Sequence, residues 1–395
     1  MVHSTEPELI RTTLTDTRHF VKRSPAYREL AEALGDGLLT SEGERWRGQR
    51  RTLQPLFTRR RIADYTGAFL AATDAVSEGW RAGQRVELVD EMEKVTLGSV
   101  SRALFGTDAT DEVAPIVGVT DELSQITVKR GLTPWAPPRW APTPGVRRLH
   151  RLEADLRGRV ERIVERAAAA SDGRDDLVTR LLEASDPETG ERLDQQQILE
   201  QALIFLLAGY DTTSTALAFT LHELGARPEL QAAIRDEVAS VVGDATPTAQ
   251  DAEQLELTRR CLLEAMRLHP PAYITSRTCT ADTVAAGYRI PAGAVVTVVF
   301  AELHRNERCW PDPDRFDPDR FLPEAVKERD HYAYLPFGGG PRSCIGEHFA
   351  LLEATLALAV LLRRWRLSAP GGPVPMRYGI TQRAAVPVPA DLTSA

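Results

Sequence analysis

A chain of 395 residues that is 43% hydrophobic can build a sizeable core and has the length of two or three average domains. Its formal net charge of −8 argues against nucleic acid as the main partner. Four cysteines (Cys261, Cys279, Cys309, Cys344) with no C-x-x-C pair suit a reducing cytoplasm, and Cys344 and His348 lack the second ligand pair a zinc site needs.

The opening segment, MVHSTEPELIRTTL, is acidic and polar, with no cationic, apolar leader. Thr5 and Glu8 within it have capping-box spacing. Helical patterns follow over residues 43–56, 61–80, 90–105, 111–128, 145–169 and 175–184. The connector TPWAPPRWAPTP, residues 133–144, reads as a rigid surface loop; its two tryptophans could instead form a lip over an apolar entrance. A long helix is predicted over 194–226, with Asp194 as N-cap. Its apolar stretch, residues 202–209, is too short for a transmembrane segment. Pro228 starts another helix, and a third covers 253–269. AYITSR, TVAAGYRI and AVVTVVF are short, β-branched and bounded by Pro or Gly, and so read as strands. A Pro- and Asp-rich loop over 310–323 leads to a glycine-rich loop and a final apolar helix from Glu347. The pattern predicts a mainly α protein with a minor β-sheet region, organised as a single domain over 1–395.

Four constellations could carry chemistry. In FGGGPRSCIGEHFALLEATLALAVLL, Gly338, Gly339 and Gly340 allow close backbone approach and φ > 0, and Gly346 removes a side chain beside the Cys344 sulfur. A helix beginning at Glu347 places that sulfur near unpaired N–H groups, which favour the thiolate. No phosphate-loop pattern is present, so the choice lies between a buried structural cysteine and a thiolate cradle for a flat cofactor. In LLAGYDTTSTAL, polar Asp211, Thr212 and Thr213 interrupt an apolar stripe. Thr212 can return its hydroxyl to the Ala208 carbonyl, and Gly209 weakens the same turn. This is either a tolerated kink or a groove that handles protons. Glu264 and Arg267 stand at i, i+3, by default an exposed pair of small value. Finally, seven arginines between Arg45 and Arg61 are either a solvated face or, through Arg47 and Arg51, a docking patch for an acidic partner.

Phe337, Gly340, Arg342, Cys344 and Gly346 together match F-x-x-G-x-R-x-C-x-G, so the chain resembles the cytochrome P450 family. The resemblance runs from Glu6 to the C-terminus and carries five motifs in family order. It implies heme b (iron protoporphyrin IX) with Cys344 as axial thiolate, and O–O cleavage favoured by that ligand. By the same resemblance, Asp211 and Thr212 relay protons, while Trp46, Arg50, Arg277 and Arg342 seat the heme propionates. Ala208, Gly209, Phe337, Gly338 and Gly346 also border the cofactor, and Glu264, Arg267 and Arg320 form a buried scaffold. Phe205, Ala208, Ala272 and Ile274, with residues near 381–385, imply a hydrophobic small-molecule substrate of terpenoid, fatty acid or polyketide type. The family's activity is insertion of one atom of O2, with electrons from a ferredoxin or flavodoxin and its NAD(P)H-dependent reductase. A peroxide-driven hydroxylase or isomerase, or a heme-based sensor, are the alternatives. In one respect the chain departs from the pattern: it has almost none of the N-terminal helix and first strands that precede the PELIRTTL segment in the family.

Overall fold

The computed structural model describes residues 2–106, 110–133, 135–169 and 176–395; Pro134 of the connector and residue 175 of the predicted 175–184 helix lie outside them. The N-terminal part carries β1 (Val2–Ser4), α1 (Pro7–Thr15), β2 (Phe20–Val21), α2 (Pro25–Leu34) and α3 (Gly43–Leu53). The expected capping box at Thr5 and Glu8 does not form. Pro7 takes the first helical position, where its missing N–H costs nothing, and so the N-cap falls on Glu6 without a side-chain bond. Helix α2 was not predicted, although Ser24 caps it and Pro25 opens it, a readable start signal.

Next come α4 (Arg59–Ala63), α5 (Thr66–Ser77), β3 (Arg85–Glu87), α6 (Leu88–Phe105), α7 (Thr110–Leu132), α8 (Pro144–Ala169), α9 (Leu177–Glu183) and α10 (Gln195–Gly225). Asp194 caps α10 as predicted: it accepts from the Gln197 N–H, and the Gln197 side chain accepts from the Asp194 N–H. A helix apolar on nearly every face is stable in water only when enclosed, and α10 runs between two apolar cores. Its length and hydropathy would also let it cross a membrane, but burial accounts for both. Helix α6 lies close beneath it, since a Cβ on Gly209 would come within 2.8 Å of Val100 Cγ2.

The remaining elements are α11 (Pro228–Val241), α12 (Ala249–Gln254), α13 (Glu256–Leu268), β4 (Ile274–Cys279), β5 (Thr283–Ala285), β6 (Tyr288–Ile290), β7 (Val295–Val299), α14 (Phe300–Leu303), α15 (Pro323–Glu328), α16 (Glu347–Arg364), β8 (Trp365–Ser368), β9 (Met376–Tyr378), β10 (Gln382–Ala384) and β11 (Pro389–Ser394). The largest sheet has the order β1-β7-β4-β2. Strand β1 runs parallel to β7, pairing His3 with Thr297, while β4 is antiparallel to β7 and pairs Arg277 with Val296. Residues 2–4 thus form a sheet edge that the sequence pattern did not assign. The β9–β10 hairpin docks on the segment after α13, where Gln382 N–H donates to Pro271 O at 2.9 Å.

A buried ion cluster fixes the loop after α14. Glu264 and Arg267 are both wholly buried and bond through two parallel contacts, 2.7 and 2.8 Å. Arg267 also donates to the carbonyls of His304, Pro313 and Arg315. Arg320 Nε lies 3.4 Å from Glu264 Oε1, and Asp317 N–H donates to the same oxygen at 2.8 Å. The pair is therefore buried, and not the exposed one that i, i+3 spacing suggests by default.

Candidate functional site

The glycine-rich loop is built around two left-handed residues, Gly338 (φ 72°) and Gly340 (φ 70°). A 3-10 turn over Gly340–Arg342 follows, and Cys344 N–H closes the loop onto Phe337 O at 2.8 Å. Gly340 presses on the end of α1: an added Cβ would lie 2.3 Å from Leu14 O. Gly340→Ala combines that clash with a strained φ, and is expected to destabilise the protein by ~1–3 kcal/mol, read as a lowered Tm. The Cβ direction at Gly338 is open, and at Gly346 it is 3.9 Å from the Cys344 sulfur.

Cys344 opens into a cavity of about 1170 Å³. The individually named cofactor and substrate residues line it, from Trp46 and Arg50 on α3 through Phe205, Ala208 and Gly209 on α10 to Ala272, Ile274 and Arg277 near β4, whereas of the 381–385 segment only Thr381 does. The residue is exposed to this cavity, which lies within the fold, and desolvation pushes its thiol above the ordinary value. The Gly346 N–H and the charges of Arg50 and Lys22 oppose that shift. The helix N-terminus legible in the sequence supplies only part of that opposition; a bound metal ion restores the thiolate outright. Among the described residues no cluster of three or more His, Cys, Asp or Glu side chains could hold a bare ion. Cys344 therefore suits a metal that brings its other ligands with it.

One wall of the cavity is cationic. Arg342 lies 4.2 Å from the Trp46 ring centroid and donates to Ser41 O and Glu42 Oε1, both at 2.8 Å. Burial lowers its pKa to about 10. Arg50 donates to Ser343 O at 3.0 Å. Arg277, from β4, donates to Thr275 Oγ1 and Ser276 O. Sequence reasoning missed two members. Lys22 sits 5.0 Å from the Tyr27 ring, and burial lowers its pKa to about 8 with Arg277 and Arg342 adding to the effect. Burial would raise the Tyr27 phenol, but Lys22 and Arg277 outweigh it and bring it to about 8. The other charges acting on Lys22 are two arginines and one carboxylate, Glu42. That excess of cations fits a cofactor carrying carboxylates, and the open glycine face beside Cys344 fits a flat one.

On α10, Thr212 Oγ1 donates to Ala208 O at 2.7 Å, the predicted back-bond. Asp211 is not free. Thr381 Oγ1 donates to its Oδ2 at 2.5 Å, and Arg383 Nε donates to its Oδ1 at 2.5 Å. Arg383 in turn pairs with Glu93 at 2.8 Å.

The proposed docking patch needs correction. Arg51 is committed to Asp186 (2.6 and 3.0 Å) and to Glu188 (3.2 Å), which holds Asp186 down at about 2. Arg47 is bound to Glu44. Neither guanidinium is unpaired. In the connector, Trp135 and Trp140 are 80% and 83% exposed. The cavity lip is made instead by Ala136, Pro137, Pro138 and Arg139, and Arg139 is fastened to Glu29 and Glu153.

The family model described as Cytochrome P450 matches residues 1–392. A cyclooctat-9-en-7-ol 5-monooxygenase of Streptomyces melanosporofaciens is 37% identical over 365 residues, covering 91% of this chain and 79% of that protein. A pentalenene oxygenase of Streptomyces avermitilis is 34% identical over 366 residues, with 92% and 80% covered. The crystal structure of a cytochrome P450DA heme domain superposes with a TM-score of 0.89 at 32% identity, covering 100% of this chain and 87% of that one.

Proposed function

The chain belongs to the cytochrome P450 family and is a heme-dependent monooxygenase acting on a hydrophobic substrate; from that premise we propose that it hydroxylates a terpenoid, with electrons from a separate ferredoxin or flavodoxin. The observation that carries the reading is the shared cavity, in which a single cysteine, a cationic wall and an acid–alcohol pair on α10 meet an otherwise largely apolar lining. The names of the two Streptomyces relatives favour the terpenoid class over fatty acids or polyketides.

Heme with a thiolate ligand supplies activation of O2, one atom entering the substrate and the other leaving as water. The protein's own residues do the rest. Cys344 holds the iron, and Trp46, Arg50, Arg277, Arg342 and Lys22 bind and orient the carboxylates. Phe205, Ala272 and Ile274 exclude water and position an apolar molecule. Thr212 and Asp211 hold and move protons. Thr212 has its own hydrogen on Ala208 O, so its oxygen keeps acceptor capacity toward the cavity.

Thr212→Ala and Asp211→Asn are each expected to lower product formed per NADPH by ~10²-fold, the usual worth of a positioned acid or base. NADPH consumption persists and hydrogen peroxide rises. Unchanged coupling in both variants would remove the relay from this account. Spin-state titration with pentalenene, lauric acid and a macrolide aglycone tests the substrate class; the expected result is a shift with the terpene, and a shift only with either of the others contradicts it.

A further inference from the structure

Asp211 stands in a partition between two cavities. On one side is the large cavity; on the other is a small one of about 10 Å³, room for a single water. Asp211 and Thr381 line both. The outer wall of the small cavity is formed by Asp121 and Arg377, which pair at 2.9 Å. Arg377 and Asp121 are 41% and 27% exposed, so a proton can enter from solvent on this side.

The inner wall carries an imbalance of charge. Arg383 is gripped by Asp211 through Nε and Nη2 and by Glu93 through Nη1, and the side chains of all three are at least five-sixths buried. Glu93 is faced by Arg383 from β10, by Asp211 and Tyr210 from α10, by Asp121 from α7, and by Asp90 from its own helix. Two guanidiniums, Arg383 and Arg377, thus serve three carboxylates, Asp211, Glu93 and Asp121. A buried excess of negative charge favours uptake of one proton.

We propose that Glu93 is a positioning residue for the relay: acting through Arg383, it sets how tightly Asp211 is held, and its ionisation frees Asp211 to take up a proton from the small cavity. With Glu93 neutral, the guanidinium belongs wholly to Asp211 and keeps it a fixed carboxylate. With Glu93 ionised, the same guanidinium is divided between two carboxylates and its hold on Asp211 loosens. Burial raises the Glu93 carboxyl to about 6, with Arg383 opposing and Asp211, Asp90 and Asp121 adding to the rise. The switch therefore operates near neutrality. This inference rests on the relay reading of Asp211 and Thr212.

Two measurements on the heme-loaded protein test it. Infrared titration of the wild type is expected to show one protonated carboxyl lost as pH rises through about 6; Glu93→Gln lacks it, and Arg383→Gln moves it upward. The second measurement is the share of NADPH electrons released as hydrogen peroxide, with pentalenene present and a plant-type [2Fe–2S] ferredoxin and its reductase as donors. In the wild type this share falls as pH rises through the same transition. In Glu93→Gln it stays high at every pH, with product-forming flux down about tenfold. Arg383→Lys restores part of the transition that Arg383→Gln loses. An unchanged carboxyl titration and pH profile in Glu93→Gln, with a thiolate-type reduced carbon monoxide spectrum showing an intact site, overturns the proposal. If Asp211→Asn also leaves peroxide release unchanged, the relay itself fails; if only the Glu93 and Arg383 variants are silent, the relay stands and this coupling does not.

Discussion

Cys344→Ser is expected to lower NADPH- and O2-dependent product formation by at least ~10³-fold, equivalent to ~4 kcal/mol of transition-state stabilisation, while leaving the fold in place. Serine is close in size, and the hydrogen bond that closes the loop comes from the residue 344 N–H to Phe337 O, which the substitution keeps. What is lost is the proposed iron ligand. A thiol raised by desolvation still becomes a thiolate on a metal, whereas a serine hydroxyl in the same enclosed position has no comparable route to an anion. The sulfur is also served by its surroundings, through the Gly346 N–H and the nearby charges of Arg50 and Lys22. Thermal melting of the two heme-free proteins should therefore coincide within a few degrees, and activity assays on the heme-loaded forms should not.

Arg267→Ala is expected to destabilise the protein by ~3–5 kcal/mol, the cost of stranding one member of a buried pair, and urea unfolding measures it. The loss extends past Glu264, because the same guanidinium carries the carbonyls of His304, Pro313 and Arg315. Arg267→Lys should fail to rescue, since one ammonium cannot reproduce a fork that meets two carboxylate oxygens and three carbonyls. The pH dependence has a definite sign. Burial pushes the Glu264 carboxyl above its ordinary value, and Arg267, the Asp317 N–H and Arg320 draw it back only in part. A carboxyl raised in the folded state gives stability that is complete below its unfolded value and is lost as pH rises through the folded one. Removing Arg267 raises the folded value further, so the deficit of the variant against wild type should shrink on acidification through the carboxylate range.

How much of this was legible in the chain depends on sequence distance. Helix α10 was readable because its cap, Asp194 with Gln197, and its apolar run are local. The cysteine loop was readable because its glycines and sulfur fall within ten residues. Lys22 and Tyr27 were missed because their site partners arrive from far downstream: Tyr27 meets Thr275, 248 positions away. The hold on Asp211 was invisible for the same reason, as Arg383 lies 172 positions on in a three-residue strand too short to show periodicity. Strands β3 and β9, also of three residues, escaped likewise. The charge of Arg51 misled in the opposite direction: a run of arginines looks free until the fold brings Asp186 against it. Local signals therefore gave the elements and the candidate cysteine, and the electrostatics of the site came only from packing.

The central claim is that Cys344 is the thiolate ligand of a heme held in the 1170 Å³ cavity. The most direct measurement is the reduced, carbon monoxide difference spectrum of heme-loaded wild type beside Cys344→Ser. Wild type is expected to show a thiolate-type, red-shifted Soret band, and the variant none. A folded wild type that takes up no heme, or the same band surviving in Cys344→Ser, would contradict it.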